Sequence, residues 1–380
     1  MEILITGGTG TISHGIVSEA CRVGHNVTAI TRGHNNDRRV IGADYLIADV
    51  WDKKCIKNVL ADRTFDVVIE CLVYNLDQMK ISLENFYPIC KTYVFISTAG
   101  VYERASNGER ITESAQRNQT QWEYTRNKII CEEYLKSYYK NHGNSYMIIR
   151  PIVTYGDFRV PFPITTRNPT WTFFDRLQKG IPIVSSSNAR HSIIHISDFS
   201  RAVVDLLNEK DALNSDFHIS SNDEEVCWDD VIYRCGELLG VSPIIVHIPL
   251  KSLFFSIPQI YDELKWNKNT DLLVDDRKLK TTLKTFETRV TLIEGLRHTI
   301  DYSREEFIAS NMNLDDKWNN DCDKALFLAS KTGQITNALE CQNAKKYIEC
   351  WTTKRKAKIC YLLIKDWSLH LIKRFVKKLL

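Results

Sequence analysis

The chain has 380 residues, 43% hydrophobic and 26% charged, with a formal net charge of only +3. That balance excludes a disordered or low-complexity chain, allows one large core or two modest ones, and gives the surface as a whole no preferred partner. Eleven cysteines scattered without a Cys-x-x-Cys pair fit reduced thiols in a cytoplasmic protein better than a disulfide framework.

Met1 leads directly into Ile3-Leu4-Ile5, which reads as a buried first strand over 2–6 and not as a signal or a membrane span. Further β-branched runs predict strands at 26–32, 45–48, 66–71, 92–97 and 145–150. Helix-compatible stretches at 12–23, 55–61, 78–89 and 122–139 alternate with them. This alternation is the pattern of an α/β fold, a Rossmann-like doubly wound parallel sheet covered by helices on both faces. Prolines at 151, 161, 163 and 169 then break the texture. The expected organisation is a dinucleotide-binding domain over 1–150, a smaller substrate-binding lobe over 151–309 interleaved with the sheet domain, and a helical basic extension over 310–380.

Between the first strand and the first helix lies Thr6-Gly7-Gly8-Thr9-Gly10-Thr11-Ile12-Ser13. A turn that brings backbone against a pyrophosphate needs residues without a Cβ, and Gly7, Gly8 and Gly10 are spaced for it, with Thr9, Thr11 and Ile12 completing the contact. The phosphate would sit at the positive end of the following helix. Ser13 stands where a third glycine is usual and is small enough to serve. At the end of the second strand Arg32 replaces the acid that would bind the ribose, so NADP is as plausible as NAD. Asp49 at the end of the third strand is placed for the adenine amino group, or equally for a helix N-cap before Trp51. Val50 and Leu72 complete the expected cofactor contacts.

Tyr124 and Lys128 are four apart on a predicted helix and share a face. A free phenol is a poor base at neutral pH, and an adjacent ammonium lowers its pKa. Thr98 follows the fifth strand, where ligands bind in open α/β sheets, and offers a hydroxyl to a substrate oxygen.

Together with Phe95 to Tyr102, Arg150-Pro151, Tyr155-Gly156, His195 to Phe199, Arg201-Ala202 and Phe217-His218-Ile219, these blocks resemble the extended short-chain dehydrogenase/reductase superfamily, in its nucleotide-sugar epimerase/dehydratase branch. The resemblance runs from residue 1 to about 305. It implies that Tyr124 removes or returns a proton at a sugar hydroxyl while hydride passes between that carbon and the nicotinamide, that Lys128 holds the nicotinamide ribose, and that Thr98 orients the hydroxyl. It also implies a nucleotide-sugar substrate, a homodimer, no metal, and Arg190 or His191 at the substrate diphosphate. Dehydratases of the superfamily carry Asp-Glu after the strand-end threonine, and this chain has Ala99-Gly100. Epimerisation through a transient ketone is therefore expected ahead of dehydration, unless Glu70 or Glu103 supplies a carboxylate. The alternatives are an NADPH-dependent keto-sugar reductase and a non-catalytic dinucleotide-sensing or RNA-binding member. Retention of Tyr124 and Lys128 favours an enzyme, so no nucleic-acid partner is expected. The fourth strand departs from the pattern in ending on the bulky Cys71-Leu72-Val73-Tyr74.

From Trp351 to Leu380 nine basic residues stand against the single acid Asp366. Cys360, Leu363, Ile364, Trp367, Leu371, Phe375 and Leu379 fall at helical spacing. A basic amphipathic helix of this kind suits an anionic membrane surface, or packing on the body or a partner subunit.

Overall fold

The structure is a computed structural model. It describes the backbone of residues 1–104, 108–166 and 169–379, and their side chains except those of 222–224, 367 and 369–379. The tail positions Trp367, Leu371, Phe375 and Leu379 named above lie outside the described side chains. In chain order the elements are β1 (Glu2–Thr6), α1 (Thr11–Arg22), β2 (Asn26–Thr31), β3 (Asp44–Ile47), α2 (Lys53–Leu60), β4 (Phe65–Glu70), α3 (Leu76–Phe86), β5 (Cys90–Ile96), α4 (Glu123–Lys140), β6 (Ser145–Pro151), β7 (Val153–Tyr155), α5 (Trp171–Gln178), β8 (Ile183–Ser185), β9 (Arg190–His195), α6 (Ile196–Leu206), β10 (Ser215–Ile219), β11 (Ser221–Cys227), α7 (Trp228–Leu239), β12 (Ile245–His247), α8 (Leu250–Ser256), α9 (Tyr261–Glu263), α10 (Arg277–Thr282), α11 (Leu292–Ala309), α12 (Asp316–Lys331), α13 (Ala338–Glu349) and α14 (Thr353–Leu379).

The chain divides into two compact units: Met1–Gly156 with His191–Glu225 and Leu272–Gly295, and Asp157–Arg190 with Val226–Asp271 and Leu296–Leu380. The first is built on a seven-stranded sheet in the order β10-β6-β5-β4-β1-β2-β3, with parallel neighbours throughout. Strand residues alternate between two cores. Ile3, Ile5, Val67, Ile69, Val94 and Ile96 pack with Ile16, Val17, Phe199 and Val203 of α1 and α6. Leu4, Ile30, Val68, Tyr93 and Phe95 pack with Ile56, Leu60, Met79, Leu83 and Leu135 of the helices on the opposite face. A strand buried on both faces reads as a continuous apolar run, which is why β1, β4 and β5 are so visible in the sequence.

The predicted elements shift at their ends for local reasons. β2 stops at Thr31, so Arg32 lies just beyond it. Asp52, and not Asp49, caps α2: its carboxylate accepts from Lys54 N and Cys55 N, which starts the helix at Lys53. Asn75 caps α3 by accepting from Gln78 N. α1 and α6 approach closely at Gly15, where an added Cβ would meet Ile196 Cγ1 at 2.4 Å and Ser200 Oγ at 2.6 Å. Only glycine allows that approach.

In the second unit β8 pairs with β12. Arg176 of α5 is 1% exposed, and its guanidinium donates to Pro182 O (2.9 Å), Asn319 Oδ1 (3.1 Å) and Asp323 Oδ1 (2.9 Å). Tyr347 and Arg355 also donate to Asp323, so one buried carboxylate ties α12, α13 and α14 to α5. The inner row of α14 is Ile359, Leu362 and Leu363. Ile364, expected on the same row, is 67% exposed.

Candidate active site

The glycine turn has the geometry a pyrophosphate needs. Gly7 and Gly8 both adopt φ +98°, a region that side chains rarely allow. At Gly8 a Cβ would lie 2.9 Å from that of Ala29, and at Gly7 it would lie 3.2 Å from Ser13 Oγ and 3.6 Å from Leu72 Cδ2. Ser13 therefore fills the third-glycine place without closing the turn, and its hydroxyl pairs with Gly10 N at 3.3 Å. α1 begins immediately afterwards with Gly10 as its N-cap, so its positive end faces the turn. Tyr45, which sequence reasoning missed, braces the turn from β3. Its hydroxyl donates to Gly8 O (3.3 Å) and accepts from Val40 N (3.0 Å), and the Arg39 guanidinium lies 5.2 Å above its ring. Thr9, Thr11 and Ile12 are half-buried around the turn.

Lys128 lies at the carboxyl ends of β4 and β5. It is 2% exposed, and its ammonium donates to Val73 O (2.7 Å) and Ile96 O (2.8 Å). Burial lowers its pKa to about 8 against the partial opposition of nearby acidic groups. One helical turn earlier, Tyr124 is half-buried with its ring centroid 6.0 Å from the ammonium. Trp122 and Tyr74 flank it at centroid distances of 4.8 and 6.0 Å. Thr98 is half-buried in the turn after β5, with Oγ1 accepting from Gly100 N (3.1 Å). A Cβ at Gly100 would come within 3.1 Å of Thr125 Cγ2 on α4. The turn and the helix thus touch, which brings Thr98 to the same end of the sheet as Lys128 and Tyr124.

Two buried carboxylates lie beneath. Glu132 is bound by Arg150 through both oxygens (2.9 and 2.8 Å), by Ser97 Oγ (2.5 Å) and by Arg117 (2.8 Å). Burial alone would raise its pKa, but Arg150, Ser97 and Arg117 outweigh it and hold the carboxyl below its ordinary value. Arg150 is itself fully buried and serves the architecture of β6. Glu70 is 0% exposed and takes hydrogen bonds from Thr6, Leu72 N and Ser82, each at 2.6 Å. Burial raises its carboxyl above the ordinary value, against the opposing hydrogen bonds from Ser82, Thr6 and Leu72 N. Glu103 is exposed, and its N–H donates to Gln116 O.

Of the remaining sequence-derived residues, Arg32 is exposed just past β2, Asp49 is exposed with Oδ1 accepting from Trp51 N (3.0 Å), Val50 is buried, and Leu72 stands over Gly7. Arg190 is engaged with Asp271 through N (2.8 Å) and Nε (2.9 Å), and His191 is fully buried. Burial, joined by the charge of Arg38, which was not singled out from sequence, lowers the pKa of His14 on α1.

Residues 3–220 match the NAD dependent epimerase/dehydratase family. The chain is 25% identical over 324 residues to the chloroplast stem-loop binding protein of 41 kDa b of Arabidopsis thaliana, covering 80% of each. Among solved structures it resembles the UDP-glucose 4-epimerase of Thermotoga maritima, bound to UDP-glucose, at 19% identity over 81% of this chain and all of that one, with a TM-score of 0.67. It also resembles the dTDP-glucose 4,6-dehydratase of Bacillus anthracis, bound to NAD, at 18% identity over 81% of this chain and 98% of that one, with a TM-score of 0.64. At these identities the structural likeness speaks for the fold.

Proposed function

Since the chain belongs to the NAD dependent epimerase/dehydratase family, we propose that it inverts a carbon of a nucleotide-linked sugar through a transient ketone. The observation that carries this reading is the buried ammonium of Lys128, seated on Val73 O and Ile96 O one helical turn from Tyr124. The glycine turn fits a nicotinamide dinucleotide, because Gly7 and Gly8 hold positive φ and Gly8 has no room for a Cβ. Such a group, when bound, supplies the two-electron acceptor and donor.

The chain's own residues do the rest. Two of the three ammonium protons of Lys128 are held by main-chain carbonyls, and the third is available to a ribose hydroxyl. The positive charge favours the phenolate of Tyr124, which takes the proton of the sugar hydroxyl and returns it. Thr98 Oγ aligns that hydroxyl. Ala99-Gly100 stand where an acid pair would be needed for water loss, and the 3.1 Å approach to Thr125 leaves position 100 little room for a side chain. Glu70 does not substitute, being enclosed by its three donors. The exposed Arg32 supports acceptance of a ribose 2′-phosphate as well as a bare ribose. A membrane-surface contact through α14 is a further part of this reading. Among the described residues no helix is long and apolar enough to cross a membrane, but Lys354, Lys358 and Lys365 are exposed beside Tyr361 and Ile364.

The test is a screen of UDP-, GDP-, CDP- and dTDP-sugars with NAD or NADP by NMR and mass spectrometry, run beside Tyr124→Phe. Conversion between epimers that falls by about 10² to 10⁴-fold in Tyr124→Phe, with cofactor affinity retained, is expected. An active Tyr124→Phe would refute the assignment. The likeness to a stem-loop binding protein favours a second reading, an RNA-binding member of the family. Retardation of a labelled hairpin RNA at about 150 mM salt, with no sugar nucleotide converted, would select it.

A further inference from the structure

Glu70 closes β4 as a fully buried carboxylate that the catalytic steps do not use. Oε1 accepts from Thr6 Oγ1 and Leu72 N, and Oε2 from Ser82 Oγ, all at 2.6 Å. Thr6 Oγ1 accepts in turn from Cys71 N (2.9 Å), and Ser82 Oγ pairs with Tyr93 Oη (2.8 Å). Withdrawing a carboxylate from water is costly even when it is fully hydrogen-bonded, and a neutral side chain would fill the same space more cheaply. A mechanical and an electrostatic consequence follow from its position.

Thr6 is the residue before Gly7, and Leu72 is the residue before Val73, whose carbonyl seats the Lys128 ammonium at 2.7 Å. One carboxylate therefore fastens the start of the glycine turn to the segment that holds the lysine. Among the acidic groups electrostatically coupled to Lys128 are Cys131, Glu70, Cys71 and Glu132. Burial pushes the Cys131 thiol up to about 12 and that of Cys71 higher still, so both are neutral around pH 7. Glu132 is matched by Arg150 and Arg117. On the other side, Glu70 is coupled to Lys128, to Cys71 and to Tyr93, whose phenol burial holds neutral. Burial raises the Glu70 carboxyl above its ordinary value, against the hydrogen bonds from Ser82, Thr6 and Leu72 N and the charge of Lys128. Of these four acids, Glu70 is thus the one whose charge is coupled to Lys128 without a guanidinium beside it.

We propose that Glu70 is a positioning residue, joining the end of β1 to the 71–74 segment and balancing Lys128 so that the ammonium stays charged beside Tyr124. This rests on Lys128 being the ammonium that activates Tyr124. The test is a pH titration of the full chain labelled with ¹³Cε-lysine, in which the Lys128 resonance is identified by its absence from Lys128→Met. In Glu70→Gln the midpoint is expected to fall by about one unit, a tenfold loss of proton affinity, while circular dichroism stays unchanged. Ser82→Ala, which removes one donor and makes the carboxylate easier to protonate, is expected to shift the midpoint in the same direction by less. A folded Glu70→Gln with an unmoved midpoint overturns the proposal. If Glu70→Gln does not fold, Ser82→Ala decides: a downward shift supports it and an unmoved midpoint overturns it. No substrate enters the titration, so its outcome stands apart from that of the sugar screen.

Discussion

Lys128→Met separates what the site does from what the fold prefers. The pKa of Lys128 falls from 10.5 to about 8 in the folded chain. At about 1.4 kcal/mol per unit, the charged lysine costs the native state about 3 kcal/mol. Because the folded value lies below the unfolded one, that cost is full below pH 8 and fades as pH rises from 8 towards 10.5. Methionine removes the cost but leaves Val73 O and Ile96 O without their donor, at about 1 kcal/mol each. At pH 7 the variant is thus expected to be as stable as the parent or about 1 kcal/mol more so. By pH 10.5 the parent has recovered, and the variant is expected to be less stable by about 2 kcal/mol. Urea unfolding at both pH values reads the difference directly, and turnover at pH 7 is expected to fall at least about 100-fold. A stability difference that does not change with pH would refute the account of Lys128 as a buried ammonium.

His247 bridges Asp229 (3.1 Å) and Glu340 (3.0 Å) within the second unit, and the hydrogen bond to Asp229, then that to Glu340, outweigh burial and raise its pKa to about 9. Its folded value exceeds the unfolded one, so its contribution is complete below about pH 6.5 and is lost as pH rises through about 9. After allowance for solvent screening, His247→Gln is expected to lower stability by about 1 kcal/mol at pH 6 and by nearly nothing at pH 10 in thermal melts; equal losses at both would count against the ion pairs. Replacing Lys354, Lys358 and Lys365 by Glu is expected to abolish partition onto phosphatidylserine vesicles while leaving neutral vesicles unaffected. Unchanged partition of the variant would remove the membrane contact from the functional reading.

How much of this was legible in the sequence depended on how local the cause was. β1, β4 and β5 were visible as apolar runs because both of their faces are covered, and the glycine turn was visible because positive φ at Gly7 and Gly8 selects the residue itself. Tyr124 and Lys128 were found through helical spacing, which α4 preserves. Asp52 was overlooked as the cap of α2 because Asp49 competes for the same duty three residues earlier. The enclosure of Glu70 was invisible, since one of its donors, Thr6, is 64 residues away in sequence and reaches it only once β1 and β4 are paired. Arg190 could be singled out by position near the His195 block, but its engagement by Asp271 depends on a partner 81 residues further on.

The contact at Gly15 gives the order of events in synthesis a bearing on how the first helix is seated. The helix that follows the phosphate turn leans on Ile196 and Ser200, which leave the ribosome long after the turn itself. A nascent chain that has made only its first half already contains every glycine of the turn, yet lacks the wall against which the helix comes to rest. The final seating of that helix is therefore a property the polypeptide acquires late, once 196–200 have been made.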